Sequence, residues 1–167
     1  MITKNRLEHL FLYNGEEGHL YWVRPRSRAV KPGQIAGRLT NNGYRQIMVD
    51  KVRYQEHRLV WLWAHGVFPA YEIDHINGIR HDNRIENLRE ATRAENQQNI
   101  GEARRHSKTG LLGASCHTGN RWKAQIRVAG KKYHLGLFST PEAAHEAYVK
   151  AKAQMHTFQP TIRGRKK

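Results

Sequence analysis

Residues 72–99 read EIDHINGIRHDNRIENLREATRAENQQN. Short apolar anchors, Ile73, Ile76, Ile85 and Leu88, are set among a high density of Asp, His and Asn, and the spacing predicts strand, loop, strand, helix. Asn77-Gly78 predicts a tight turn in the loop, because both residues tolerate the backbone that turns demand. The residue types are those that phosphodiester hydrolysis calls for: a base to activate water, and a hard cation to stabilise the charged phosphorane and the leaving oxygen. Asp74 offers an anionic oxygen to such a cation, and the near-neutral pKa of His75 suits a base. Neighbouring side chains on a strand point to opposite faces, so the pair must sit at a strand end or a bend to reach one phosphate. An Asn carbonyl can supply a second oxygen ligand, and another Asn can accept the Nδ1 hydrogen bond that fixes the imidazole tautomer. Asn83, Asn87, Asn96 and Asn99 are all available for these roles. Loop Asn residues also cap turns, and that is the reading given first to Asn83.

Upstream, Leu7, Leu10 and Phe11 have helical spacing and predict a short amphipathic helix over 2–13, ending near Asn14-Gly15. Four β-type segments follow, His19–Val23, Gln34–Leu39, Tyr44–Val49 and Val52–Gln55, broken by Pro25, Pro32, Gly33 and Asn41-Asn42-Gly43. The last two read as a hairpin turning at Asp50-Lys51. Leu59, Val60, Leu62 and Trp63 predict a buried helix from Glu56 to His65, stopped by Gly66. His57, His65 and His81 are read as packing or surface residues, with His57-Arg58 a candidate phosphate contact.

Downstream, residues 101–110 (GEARRHSKTG) hold no large apolar side chain and read as an exposed basic linker between two folding units. Three strands are expected at Gly113–His117, Arg121–Val128 and Lys131–Phe138, the last two joined by Ala129-Gly130. A helix then starts with Thr140 as N-cap, Pro141 in its favoured first position and Glu142 at the positive end of the dipole. Its stripe of Ala143, Ala144, Ala147, Tyr148, Ala151 and Met155 must lie on a sheet. In Arg121–Val128, Trp122, Ala124, Ile126 and Val128 should face inward and Arg121, Lys123, Gln125 and Arg127 outward. In Lys131–Phe138, Tyr133, Leu135 and Leu137 should face inward, and Lys132 and His134 outward. One face is thus cationic and suits the major groove, where Arg and Gln read base edges and Lys holds phosphates. Residues 159–167 read as a basic tail, disordered at its RGRKK end (163–167).

Composition agrees with a polyanionic partner. The 167 residues carry 29 Lys plus Arg against 14 Asp plus Glu, a formal charge of +15. The charge is uneven: net +4 over residues 1–100 and net +11 over 101–167. The single cysteine, Cys116, excludes an intramolecular disulfide and a zinc knuckle of the CxxC kind. Met1 to Phe11 is too charged for a signal peptide, and no run of about 20 apolar residues exists to span a bilayer. A cytoplasmic protein, monomeric and without a membrane partner, is the expectation.

The pattern D-H-x-N-G, D-N, N-L, N over residues 74–96, with the preceding hairpin and EHRLVWLW, resembles the HNH nucleases with their ββα-metal fold, in particular the phage and homing-endonuclease branch. The resemblance spans about 44–100. It implies that Asp74 is a metal ligand and that His75 is the general base. It makes Asn87 the middle Asn that orients the catalytic His and ties the loop, and Asn96 the second metal ligand on the following helix. The chain has Asn at that last position where many members have His, which favours Mg²⁺ or Mn²⁺. Residues 109–148 are similar to the plant ethylene-response-factor (Apetala-type) DNA-binding domain, through W-x-A-x-I-R and Y-x-L-G-x-F-x-T-x-E-A-A. That resemblance implies DNA contacts from Gln125, Arg127 and His134. Gln and His stand where plant members commonly have Glu and Trp, so target preference does not transfer.

The whole reads as an α+β chain: a nuclease unit over 1–100 with its core at 44–100, a linker at 101–110, and a three-stranded antiparallel sheet packed on one helix over 109–158. The expected activity is metal-dependent cleavage of double-stranded DNA. The rivals are a DNA-binding regulator without catalysis and a protein acting on RNA.

Overall fold

The computed structural model describes residues 1–25, 27–101, 103 and 106–158. The expected tail, residues 159–167, and part of the linker lie outside them. Among the described residues the fold is α+β, with small antiparallel sheets and four α-helices. Contacts divide the chain into two compact units, Met1–Thr92 and Arg93–Lys167.

In the first unit, Thr3 caps α1 (Lys4–Leu10) by accepting the Arg6 N–H. The helix ends earlier than the spacing suggests. Phe11 opens strand β1 (Phe11–Asn14), which pairs antiparallel with β2 (His19–Trp22), Phe11 opposite Trp22 and Asn14 opposite His19. Leu7, Leu10 and Phe11 are buried and Leu12 is exposed, so helical and strand periods both fit this short apolar run, and pairing with β2 decides between them. Asn14 Oδ1 accepts the Glu16 and Glu17 N–H groups and shapes the turn.

Strands β3 (Arg38–Leu39), β4 (Arg45–Val49) and β5 (Val52–Gln55) form one antiparallel sheet. The expected strand at Gln34–Leu39 is reduced to its last two residues plus an isolated bridge between Ile35 and Tyr21. The hairpin turns at Asp50-Lys51, both at positive φ (47° and 66°), the turn that matches strand twist. Helix α2 (Glu56–His65) stops at Gly66, whose N–H reaches Leu62 O from φ 78°. Leu59, Val60 and Leu62 of α2 join Leu7, Leu10, Phe11, Leu20, Ile47, Ile73 and Leu88 in one core, so the N-terminal β-rich segment shares a core with the rest of the unit. Strand β6 (Glu72–His75) pairs with β7 (Leu88–Ala91), Asp74 opposite Arg89 and His75 opposite Leu88.

The second unit begins with α3 (Arg93–Gln98). The division at Thr92–Arg93 precedes the 101–110 segment, because Gln98 Oε1 accepts the Phe158 N–H and Lys152 Nζ donates to Ile100 O, tying α3 and its sequel to the C-terminal helix. Strands β8 (Ala114–His117), β9 (Arg121–Val128) and β10 (Lys131–Phe138) form a sheet in the order β10-β9-β8. On it lies α4 (Pro141–Met155), where Thr140 accepts the Ala143 N–H at 3.2 Å and Pro141 opens the helix. Ala114, Ala124 and Ala144 form the centre, with Leu111, Trp122, Leu135, Phe138 and Ala147 packed around them. Gly113, at φ 74°, lets the ring of Tyr148 lie where a Cβ would stand. The predicted alternation in β10 breaks at a register shift between His134 and Gly136. Beyond this bulge the faces exchange: Phe138 pairs with Trp122 and packs inward, while Leu137 pairs with Lys123 and is exposed. Tyr133 is also exposed. Among the described residues, no helix is long and apolar enough to cross a membrane.

Candidate active site

Asp74 and His75 end β6, and both are buried. Gly78 N–H donates to His75 O at 2.6 Å, turning the chain immediately after the pair. Asp74 faces its cross-strand neighbour, with Oδ2 2.8 Å from Arg89 Nε and 2.7 Å from Nη2. Arg89 is thus this carboxylate's charge partner, a contact the sequence gives no sign of.

The loop after β6 is stitched by Asn side chains. Asn77 Oδ1 accepts the Ile79 N–H at 2.8 Å. Asn87, buried at the end of the 3-10 turn Ile85–Asn87 just before β7, accepts the Asn77 N–H at 2.9 Å through Oδ1 and donates Nδ2–H to Asp82 O at 2.7 Å. Asn87 therefore ties the loop. The bond to the His75 ring, which the resemblance gave to Asn87, is made by Asn83: its Oδ1 lies 3.0 Å from Nε2. Asn83, read first as a turn cap, instead spends its buried side chain on His75 and Glu56. The ring nitrogen also differs from expectation. A carbonyl oxygen can only accept, so this bond calls for the proton on Nε2.

Asn83 is held from both sides. Its Nδ2–H donates to Glu56 Oε2 at 2.7 Å, and its backbone carbonyl accepts from the Tyr13 hydroxyl at 3.2 Å. Gly18, at φ 73°, lets the β1–β2 turn approach the Asn83 and Arg84 backbone more closely than a Cβ would permit. Glu56 itself is fully buried at the first position of α2. Its Oε1 accepts the Leu20 N–H at 2.9 Å, and its Oε2 lies 3.2 Å from His19 Nδ1 and 3.6 Å from Arg45 Nε.

The His57 ring meets the His75 ring edge-on at 5.2 Å, and Tyr44 lies 5.5 Å from the first and 6.0 Å from the second. Burial, with the His75 and Arg58 charges, depresses the His57 pKa to about 3. Burial also lowers that of His75, against the Asn83 hydrogen bond and Asp74, which pull upward. Both rings are neutral at neutral pH. Asp82 is held down to about 2, chiefly by Arg84. Arg58 donates to Pro69 O and Tyr71 O and serves the fold as a strap. His65, exposed, packs at a tilt against Trp61, and His81 is exposed.

Sequence reasoning missed Glu56 and Tyr44, and read His57 as a packing residue or a phosphate contact. One signal existed: the i, i+3, i+4 spacing places Glu56 on the same helix face as buried Leu59 and Val60. A charge on a buried face needs a partner.

Asn96 lies on α3 and buried Asn99 just beyond it, in the second unit. Also in that unit, the expected DNA-facing residues share one sheet face. Arg127 is opposite Lys132, Gln125 opposite His134, and Lys123 and Arg121 opposite Ser115 and His117. Arg121, Arg127, Lys132 and His134 are exposed; Lys123 and Gln125 are half-buried.

The donors suit a hard divalent cation. Among the described residues, no group of three or more His, Cys, Asp or Glu is gathered for a metal. Mg²⁺ commonly takes only one or two carboxylates and completes its shell with water and phosphate oxygens, and Asp74 provides one buried carboxylate.

The HNH endonuclease family model matches residues 54–98, the span from β5 through α2, β6 and β7 to α3. This segment is similar to HNH endonucleases, enzymes that hydrolyse nucleic acid. No curated protein and no solved structure matches the chain.

Proposed function

We propose that the chain is a divalent-metal-dependent endonuclease of the HNH type that hydrolyses a phosphodiester of double-stranded DNA. The observation that carries this reading is the state of His75, a neutral imidazole ending β6, its Nε2–H anchored on Asn83, inside the segment that matches HNH endonucleases. The Nδ1 lone pair takes the proton of the attacking water. Nε2–H stays on the Asn83 carbonyl oxygen, whose dipole meets the positive charge that develops on the ring.

Asp74 would hold the ion, Mg²⁺ or Mn²⁺ by the hardness of its oxygen donors. When bound, such an ion draws charge from the scissile phosphate and the leaving oxygen. The role of Asn96 as a second ligand rests on the sequence resemblance alone. Asn87 acts by holding the 76–87 loop in shape.

In the second unit, the β9–β10 face acts as the grip on the duplex. Like charges placed directly opposite, as Arg127 and Lys132 are, cost a sheet stability. DNA phosphates offset that cost. Gln125 and His134 lie between those charges and the bulge, where base edges can be read by a two-stranded ribbon. By its resemblance, the chain is a free-standing phage endonuclease of the homing kind.

The test is conversion of supercoiled plasmid with Mg²⁺, with Mn²⁺ and with EDTA, by wild type and His75→Ala. Metal-dependent nicking that the variant lacks is the expected result. One observation favours a second reading, a DNA-binding regulator: Asp74 is already ion-paired with Arg89. Retarded but uncut plasmid under every condition would establish that reading instead.

A further inference from the structure

Glu56 is a fully buried carboxylate that the proposed chemistry does not use. An enclosed carboxylate is costly unless both oxygens are bonded, and both are. Oε1 accepts the Leu20 N–H, and Oε2 meets Asn83 Nδ2 at 2.7 Å, with His19 and Arg45 beside it. Leu20 alone would anchor the carboxylate to β2, yet its second oxygen is spent on the Asn83 side chain.

That contact has a direction. An ionised carboxylate only accepts, so it selects the NH₂ end of the Asn83 amide. The amide is planar, and turning its nitrogen toward Glu56 turns Oδ1 toward His75 Nε2, 3.0 Å away. Oδ1 also only accepts, so the ring proton must sit on Nε2. We propose that Glu56 is a positioning residue that sets the tautomer of His75 through Asn83, and thereby which ring nitrogen serves as the base. The inference rests on His75 being the base of the proposed nuclease. Its core, the tautomer, can be read without any cleavage.

Glu56→Gln is the variant that removes the direction with little change of shape. An amide at position 56 keeps its oxygen on the Leu20 N–H and turns its NH₂ toward Asn83, so the reversed Asn83 amide, and with it the Nδ1–H tautomer of His75, gains a partner. The measurement is the nitrogen NMR signature of the His75 ring in the full-length, metal-free chain, at a pH where the ring is neutral, assigned by comparison with His75→Gln. Wild type is expected to show Nε2 protonated and Nδ1 unprotonated. Glu56→Gln is expected to gain a second population with the proton on Nδ1, and plasmid nicking should fall roughly 10–100-fold, as for other outer partners of a reactive imidazole. A folded Glu56→Gln protein whose His75 keeps the Nε2–H tautomer alone overturns the proposal. If that variant does not fold, wild type decides: a His75 protonated on Nδ1, or an Asn83 NH₂ without the downfield proton expected of a bond to a carboxylate, overturns it equally. A tautomer shift in a protein that cuts no plasmid supports the positioning role and removes the nuclease reading instead.

Discussion

The polar groups around His75 and those on the β9–β10 sheet meet opposite surroundings. In the first unit they are buried and pair with one another: Glu56 with Asn83, Asn83 with His75, Asp74 with Arg89. In the second they face solvent with like charges opposed, Arg127 against Lys132. A buried network works through geometry, because low dielectric makes each unpaired donor or acceptor expensive. An exposed cationic face works through its field, which is long-ranged and weakened by salt. The two should therefore fail in different ways.

The largest contrast is expected from His75→Ala. Plasmid nicking should fall by about 10²–10⁴-fold, the usual contribution of a positioned base, while retention of DNA in a gel-shift assay stays near wild type. Equal loss of both would break the division of labour.

Next comes acid stability, which should involve the buried network and spare the exposed face. The folded chain keeps His57 neutral down to about pH 3, whereas an unfolded histidine protonates near 6.5. The unfolded state therefore binds more protons in that window, and stability is lost as pH falls from 6.5 towards 3, by on the order of a few kcal/mol. Urea melts at pH 7 and pH 5 measure it; His57→Phe should flatten the difference.

Gly113→Ala should disturb the second unit only, since the added Cβ meets the Tyr148 ring from a backbone at φ 74°. A loss of about 1–3 kcal/mol is expected, read by near-ultraviolet circular dichroism and urea melts, with the His75 ring signals unchanged.

The smallest stability effect, and the sharpest test of the field argument, belongs to Lys132→Ala. Relieving the opposition to Arg127 should stabilise the sheet by about 0.2–1 kcal/mol. The slope of log K against log salt for duplex binding should drop by roughly one unit. A destabilised sheet with an unchanged slope would show an ordinary solvated face.

Local signals in the chain were enough for several elements. Asp50-Lys51 marked its hairpin, Gly66 the end of α2, Thr140-Pro141 the start of α4, and alternation the faces of β9. Each depends on residues within a few positions of one another. The same logic failed at Phe11, where helix and strand both fit and β2 decided, and at Leu137, where one extra residue in β10 exchanged the two faces. It also marked Asp74 and His75 as a reactive pair without revealing what surrounds them.

What the amino-acid sequence alone determined was the order of elements from Arg45 onward, the basic C-terminal third and the Asp-His-Asn segment, because periodicity, caps, turns and charge are properties of neighbouring residues. Tertiary structure alone decided that Asn83 rather than Asn87 holds His75, that Glu56 stands behind Asn83, and that Arg89 neutralises Asp74. These contacts join residues 8, 27 and 15 positions apart. Which of several similar Asn and Arg side chains makes them depends on which are buried together when the shared core closes, and local pattern carries no record of that.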